Sequence, residues 1–305
     1  VTARTQVAGG LTPRHLAVLT LLTLVWGINW PVMKVGVTAF PPLTFRTISM
    51  WLGLPVLFLV LRLLRVPLAV PRVHWRELGS LTVTNMLVWH VVAITSLQAL
   101  SSGRAAILGY TMPVFSALWG RAAYGERLLP RQIAGVAAAL AGAALLLWHE
   151  FAGIAGSPLA ALGMLLAAAV WAVGTQRMRR TGMVVPTLAV AFWMTVVTTV
   201  VMTILAVVVE RPAWNAPSTT TWAAIVFNAV AVFGYAQPAW LYLARTLPPI
   251  ASTLSVMMIP VLGVVAGAVW LGERLYWQDG AAVCLLVAAI ASVLLPARVP
   301  ATPAS

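Results

Sequence analysis

Along the chain, apolar runs of helix-spanning length alternate with short polar or Pro- and Gly-containing connections. A bilayer core about 30 Å thick takes roughly 20 helical residues to cross. By that measure the pattern predicts helices at His15–Gly36, Leu43–Leu63, Trp75–Ser96, Gly103–Ala123, Gln132–Trp148, Pro158–Gln176, Val185–Val208, Thr220–Leu243, Ile250–Trp270 and Trp277–Leu295. The short segments of alternating polarity that build a membrane barrel do not occur. The expected fold class is therefore an all-α integral membrane protein with ten transmembrane helices. The polar residues before Pro13 and the absence of a small-residue cleavage site after the first run mark that run as a retained helix, not a signal peptide.

Composition sharpens the picture. Of 305 residues 61% are hydrophobic and 8% charged, and soluble domains carry about a quarter charged residues, so a soluble fold is excluded. The net charge of +13 does not point to nucleic acid, because the basic residues are scattered between the apolar runs. Apart from Lys34, Arg46, Arg104, Arg211 and Arg274, every Lys and Arg falls on one side of the membrane in a ten-span map. The positive-inside rule makes that side the cytoplasm and puts both termini there, as expected of a multi-pass protein of the cell's inner membrane. The single Cys284 lies in an apolar run and reads as a small core residue.

An internal repeat adds the next constraint. Gly125-Glu126-Arg127 follows the fourth run and Gly272-Glu273-Arg274 the ninth, while Pro113 and Pro260 each stand thirteen residues before the Glu. Both pairs are offset by 147 residues, and Trp26-Gly27 finds a counterpart in Trp171-Ala172. The units fall at 14–148 and 158–295, between tails over 1–13 and 296–305. Five spans is an odd number, so the second copy enters the membrane inverted. Two inverted five-helix repeats around a central cavity are an arrangement of secondary transporters.

Trp26-Gly27-Ile28-Asn29, Pro113 with Gly125-Glu126-Arg127, and Pro260 with Gly272-Glu273-Arg274 resemble the duplicated EamA pattern of the drug/metabolite transporter superfamily. The chain is most similar there to bacterial ten-helix exporters of amino acids and related metabolites, the aromatic amino acid exporters included. The resemblance implies export of a small molecule by alternating access.

Polar and aromatic residues inside the runs are the candidate substrate contacts. The amides Asn29, Asn85, Gln176, Asn228 and Gln237 each need a helix, water or substrate partner in hydrocarbon, interhelical bonding being the plain alternative. His90 is the one titratable side chain placed mid-helix; it reads as a proton carrier or as a packed imidazole. Trp26, Trp30, Tyr110, Trp171, Tyr235 and Trp240 lie within spans, as do Trp89 and Trp193, although membrane Trp favours helix ends. A cavity walled by such rings suits flat apolar groups and can hold an ammonium. Met257 and Met258 would add an adaptable surface. Pro31, Pro113, Pro238 and Pro260 are candidate hinges, three of them four residues after Gly27, Gly109 and Gly234. Small residues in the fifth and tenth helices, among them Gly135, Gly142, Gly280 and Ala288, predict close packing, within a monomer or across a homodimer.

The acidic residues Glu77, Glu126, Glu150, Glu210, Glu273 and Asp279 all map to loops or helix ends, and no Lys or Arg maps deep in a span. Lipophilic cations would call for a buried carboxylate, and anionic nucleotides for buried basic groups. Neutral amino acids survive both exclusions, with a drug or other metabolite carrier of the same superfamily as the alternative. Lys34 and Arg46 are expected to snorkel from the outer ends of the first two helices, or to attract a substrate carboxylate. No nucleophile elbow, His-Glu-x-x-His pair or cysteine set is present, so neither an enzyme, a metal nor a cofactor is called for.

Overall fold

The computed structural model describes residues 12–152, 157–240 and 249–294. The expected tails over 1–13 and 296–305 fall outside them except for Thr12 and Pro13, as do the expected helix ends at Leu243 and Leu295. Among the described residues the helices fall into ten segments: α1 Pro13–Thr38, α2 Pro42–Leu63, α3 Arg72–Ala99, α4 in two pieces, Ser102–Gly109 and Met112–Tyr124, α5 Pro130–Ala152, α6 Pro158–Arg179, α7 Thr187–Ala213, α8 Thr219–Trp240, α9 Pro249–Leu271 and α10 Trp277–Leu294. Seven are long and apolar enough to cross a membrane, and α9 and α10 are shorter apolar helices over their described parts. Large apolar side chains such as Leu59, Leu159 and Val269 stand exposed on the outer surface. Helices apolar on every face belong in lipid.

Local chemistry sets the boundaries. Thr12, Ser101 and Ser218 cap α1, α4 and α8 by accepting from the backbone N–H three residues on. Pro13, Pro42 and Pro158 occupy first turns, where no amide donor is needed. α4 and α9 are followed by glycines in the left-handed region, Gly125 at φ 67° and Gly272 at φ 66°, which only glycine adopts without cost.

The packing partners exchange between the halves. α1 lies on α9 and α6 on α4, while α2 lies on α8 and α7 on α3. Replacing each helix by its repeat counterpart maps one contact of a pair onto the other, so the halves interleave about a pseudo-twofold axis. Glycines permit the approach. A methyl at Gly27 of α1 would stand 2.6 Å from Leu262 of α9, and one at Gly53 of α2 would stand 2.7 Å from Phe233 of α8. α5 and α10 pack on each other as expected, with Gly135 against Ser292 and Gly142 against Ala282. Gly135 and Gly142 are therefore engaged within the chain, whereas Gly280 and Ala288 of α10, expected in close packing, are exposed. Cys284, expected in the core, instead faces outward from α10.

Three departures from regular helix concern the interior. α3 widens to five-residue turns over Val83–Leu87 and Trp89–Ala93, and its counterpart α8 does so over Asn228–Ala236, ending two residues before Pro238. Such widened turns concentrate where helices serve function. α4, expected to be continuous, breaks at Tyr110 and Thr111, immediately before Met112-Pro113. Its counterpart α9 runs through Pro260 unbroken. Pro31 likewise lies inside α1.

Candidate functional site

Four of the expected aromatic residues meet in the interior, each brought by a different helix. Trp30 of α1 stands edge-on to Trp89 of α3 and to Tyr110 at the break in α4, with ring centroids 6.4 Å apart in both pairs. Trp89 leans on Trp171 of α6 at 4.7 Å. Tilted and edge-to-face contacts are the favoured geometry for rings. The Trp30 and Trp89 rings converge on Gly109, where an added methyl would come within 2.9 Å of Trp89 and 3.1 Å of Trp30. Beside the rings lies a void of about 10 Å³ lined by Trp30, Met33, Arg46, Trp89, Ala93, Ile94 and Leu97, about the minimum for one water.

Arg46 corrects the sequence reading. It does not snorkel from the end of α2: it is 5% exposed and turned inward. Nη1 donates to Asn228 Oδ1 at 3.1 Å and Nη2 to the Met33 thioether at 2.6 Å, while Nε has no partner. A basic group therefore does lie in the interior. No residue pattern announces it, because Arg46 sits in the second turn of α2. Just before it in α2, the first turn is tied to the end of α7 and to Trp214 beyond it. Buried Glu210 accepts from Leu43 N, Thr44 N and Thr44 Oγ1 at 2.7–2.9 Å, and Trp214 Nε1 donates to Thr44 Oγ1 at 2.8 Å.

The amides and His90 divide. Asn228 bonds Arg46 and donates to Ala224 O. Asn29 is buried with Oδ1 unpartnered, one turn before Met33 on the same face of α1. His90 is buried against the Phe233 ring at 6.1 Å, with neither ring nitrogen bonded. Asn85 donates to Leu81 O and presses on Gly174. Gln176 does not join the rings: it donates to Ser116 O and accepts from Arg180, as does Glu126. Trp26, Tyr235 and Trp240 form a second group, with Trp26 and Trp240 centroids 5.6 Å apart and Tyr235 donating to Val18 O. Gln237 is half-buried near it in sequence, Met257 packs on the main core, and Met258 is 48% exposed.

Polar ties close both ends of the bundle. Where α1 ends, Lys34 donates to the carbonyls of Leu97 and Gln98, Glu273 accepts from Ser102 and Gly103 at the start of α4, and Arg104 pairs with Asp279 at 2.9 Å. At the opposite end Arg180 pairs with Glu126 and lies 3.9 Å over the Tyr124 ring, and Thr181 donates to Glu77 at 2.6 Å. The described carboxylates thus all serve helix ends. A larger recess of about 330 Å³ between α4 and α6, lined by Phe115, Leu118, Trp119, Ala122, Ala169, Val170 and Val173, has no charged lining side chain and opens outward.

Residues 15–148 and 158–295 each match the model of the EamA-like transporter family. The chain is 27% identical over 283 residues to the uncharacterized inner membrane transporter YedA of Escherichia coli K12, covering 91% of this chain and 89% of that protein. It is 28% identical over 264 residues to a protein of Streptantibioticus cattleyicolor named "Probable terminal-alkyne amino-acid exporter", covering 84% of each. One crystal structure superposes with a TM-score of 0.66 at 22% identity, over 93% of this chain and 98% of its own, and speaks for the fold.

Proposed function

The chain belongs to the EamA-like transporter family, and from that premise we propose that it exports neutral amino acids and related metabolites, aromatic or bulky ones above all, across the inner membrane by alternating access. The observation that carries this reading is the ring cluster of Trp30, Trp89, Tyr110 and Trp171 beside an interior void with no described carboxylate among its lining residues. Flat apolar side chains gain most from such walls. A cation would lack its acidic partner there. The amino-acid exporter among the relatives supports the same substrate class.

In this reading Asn29, Asn228 and His90 provide the polar contacts, and Pro31, Pro113, Pro238 and Pro260 mark where helices bend. Both termini face the cytoplasm, which makes the end of the bundle with Lys34, Glu210 and Glu273 the outer one. With no described carboxylate in the interior, transport is uncoupled or weakly coupled to protons. The test is counterflow in proteoliposomes preloaded with unlabelled amino acids, with and without a proton gradient. L-Phenylalanine and L-tryptophan should exchange faster than L-alanine or L-aspartate, with little response to the gradient. Equal rates for all four, or exchange only of lipophilic cations, would overturn the assignment.

A further inference from the structure

The interior holds one fully desolvated guanidinium for which no described residue supplies an opposing charge. Arg46 has five N–H donors, yet its described acceptors are an amide oxygen and a thioether, and Nε is orphaned. No described Asp or Glu lies within ion-pair distance of it. Glu210, which sits one turn away at the start of α2, is committed to the amides of Leu43 and Thr44. Removing an ion from water without a partner costs several kcal/mol. A chain that keeps such a charge beside a ring-lined void has a use for an anion there.

From this arrangement we infer that Arg46 is the carboxylate anchor of the transport site, deepening the amino-acid reading above, on which the inference rests. The planar fork matches a carboxylate with two parallel hydrogen bonds. The Trp30 and Trp89 rings, which line the same void, receive the apolar part of the cargo. The remaining orphans complement the other end of an amino acid. Asn29 Oδ1 is a buried acceptor one turn along α1 from Met33, the residue that Arg46 touches, and His90, with neither ring nitrogen bonded, offers one acceptor nitrogen as a neutral imidazole. An ammonium takes such acceptors. The void is too small for an amino acid as it stands, so cargo enters only when the rings part. The widened turns of α3 and the break in α4 lie where that movement is needed.

The experiment titrates purified protein in nanodiscs with L-phenylalanine, 3-phenylpropanoate and 2-phenylethylamine, following tryptophan fluorescence and melting temperature. The wild type should bind the two carboxylates at least about 30-fold more tightly than the amine, the loss typical of truncating one side of a desolvated charge pair. Arg46→Gln should forfeit that preference by losing carboxylate affinity, and should bind the amine no more weakly than the wild type does. Arg46→Lys, a point charge without the fork, should fall between. Arg46→Met guards against a folding artefact: without ligand it should melt no lower than the wild type, because it removes an uncompensated charge. Carboxylate preference retained in Arg46→Gln, or a lower melting temperature of Arg46→Met with the ligand ranking intact, makes Arg46 structural and overturns the inference alone. If none of the three compounds binds the wild type, the amino-acid reading falls with it.

Discussion

Glu273 holds Ser102 by both of its hydrogen-bond donors: Oε1 accepts the backbone N–H at 2.6 Å and Oε2 the hydroxyl at 2.9 Å. The contact spans the two repeats and joins the loop after α9 to the first turn of α4. It places a negative charge where helix amides lack partners and the macrodipole is positive.

Glu273→Ala should therefore loosen this end of the bundle. Loss of hydrogen bonds to a charged group is worth about 1.5–3 kcal/mol, so the amides of Ser102 and Gly103 should exchange hydrogen about 10- to 150-fold faster in the variant. Hydrogen exchange read by mass spectrometry over the start of α4 measures it. Unchanged exchange would remove Glu273 from the closure.

Gly267→Ala should reproduce that effect from one helix away. A methyl at Gly267 would collide with the Glu273 carboxylate and the Ser102 hydroxyl, so the carboxylate must leave its place. Because both substitutions break the same contact, the double variant should exchange no faster than either single one, with a coupling of about 0.5–3 kcal/mol. Additive effects would show that Gly267 acts elsewhere.

Gly109→Ala tests the ring cluster from the side of α4. The new methyl would press on Trp89 at 2.9 Å and Trp30 at 3.1 Å, and overpacking of this kind costs about 1–3 kcal/mol. The variant should melt lower and show altered tryptophan emission, and counterflow of L-phenylalanine should slow.

Trp89→Leu separates ring recognition from general apolar packing. Affinity for L-phenylalanine should drop by about 0.5–1.5 kcal/mol, the part owed to ring–ring contact, while L-leucine changes less. Competition of the two in counterflow gives the ratio directly. An equal loss for both would assign Trp89 to the scaffold.

Much of the fold was legible because membrane helices are written in length and hydrophobicity, and because the repeats conserve their spacing from Pro113 to Glu126 and from Pro260 to Glu273. The meeting of Trp30, Trp89, Tyr110 and Trp171 follows from an expectation about residue type alone; their distances depend on how four helices pack. Arg46 escapes a sequence reading because a basic residue near a helix end ordinarily reaches for water, whereas here Asn228 of α8 and Met33 of α1 hold its guanidinium in the interior. Gln176 had a local clue in Arg180, one turn on, which claims its side-chain oxygen. The widened turns of α3 and α8 leave no mark in the pattern of apolar residues, since a hydrocarbon-facing helix is apolar whichever way it is wound.

The inequality of α4 and α9 reaches beyond this single arrangement. Two segments of common ancestry hold different shapes here, one snapped before Pro113 and one running on through Pro260. In the alternating-access reading proposed above, trading those shapes would turn the molecule inside out with no backbone geometry beyond the two already present. On that reading the chain displays, side by side, a before and an after for the same piece of polypeptide.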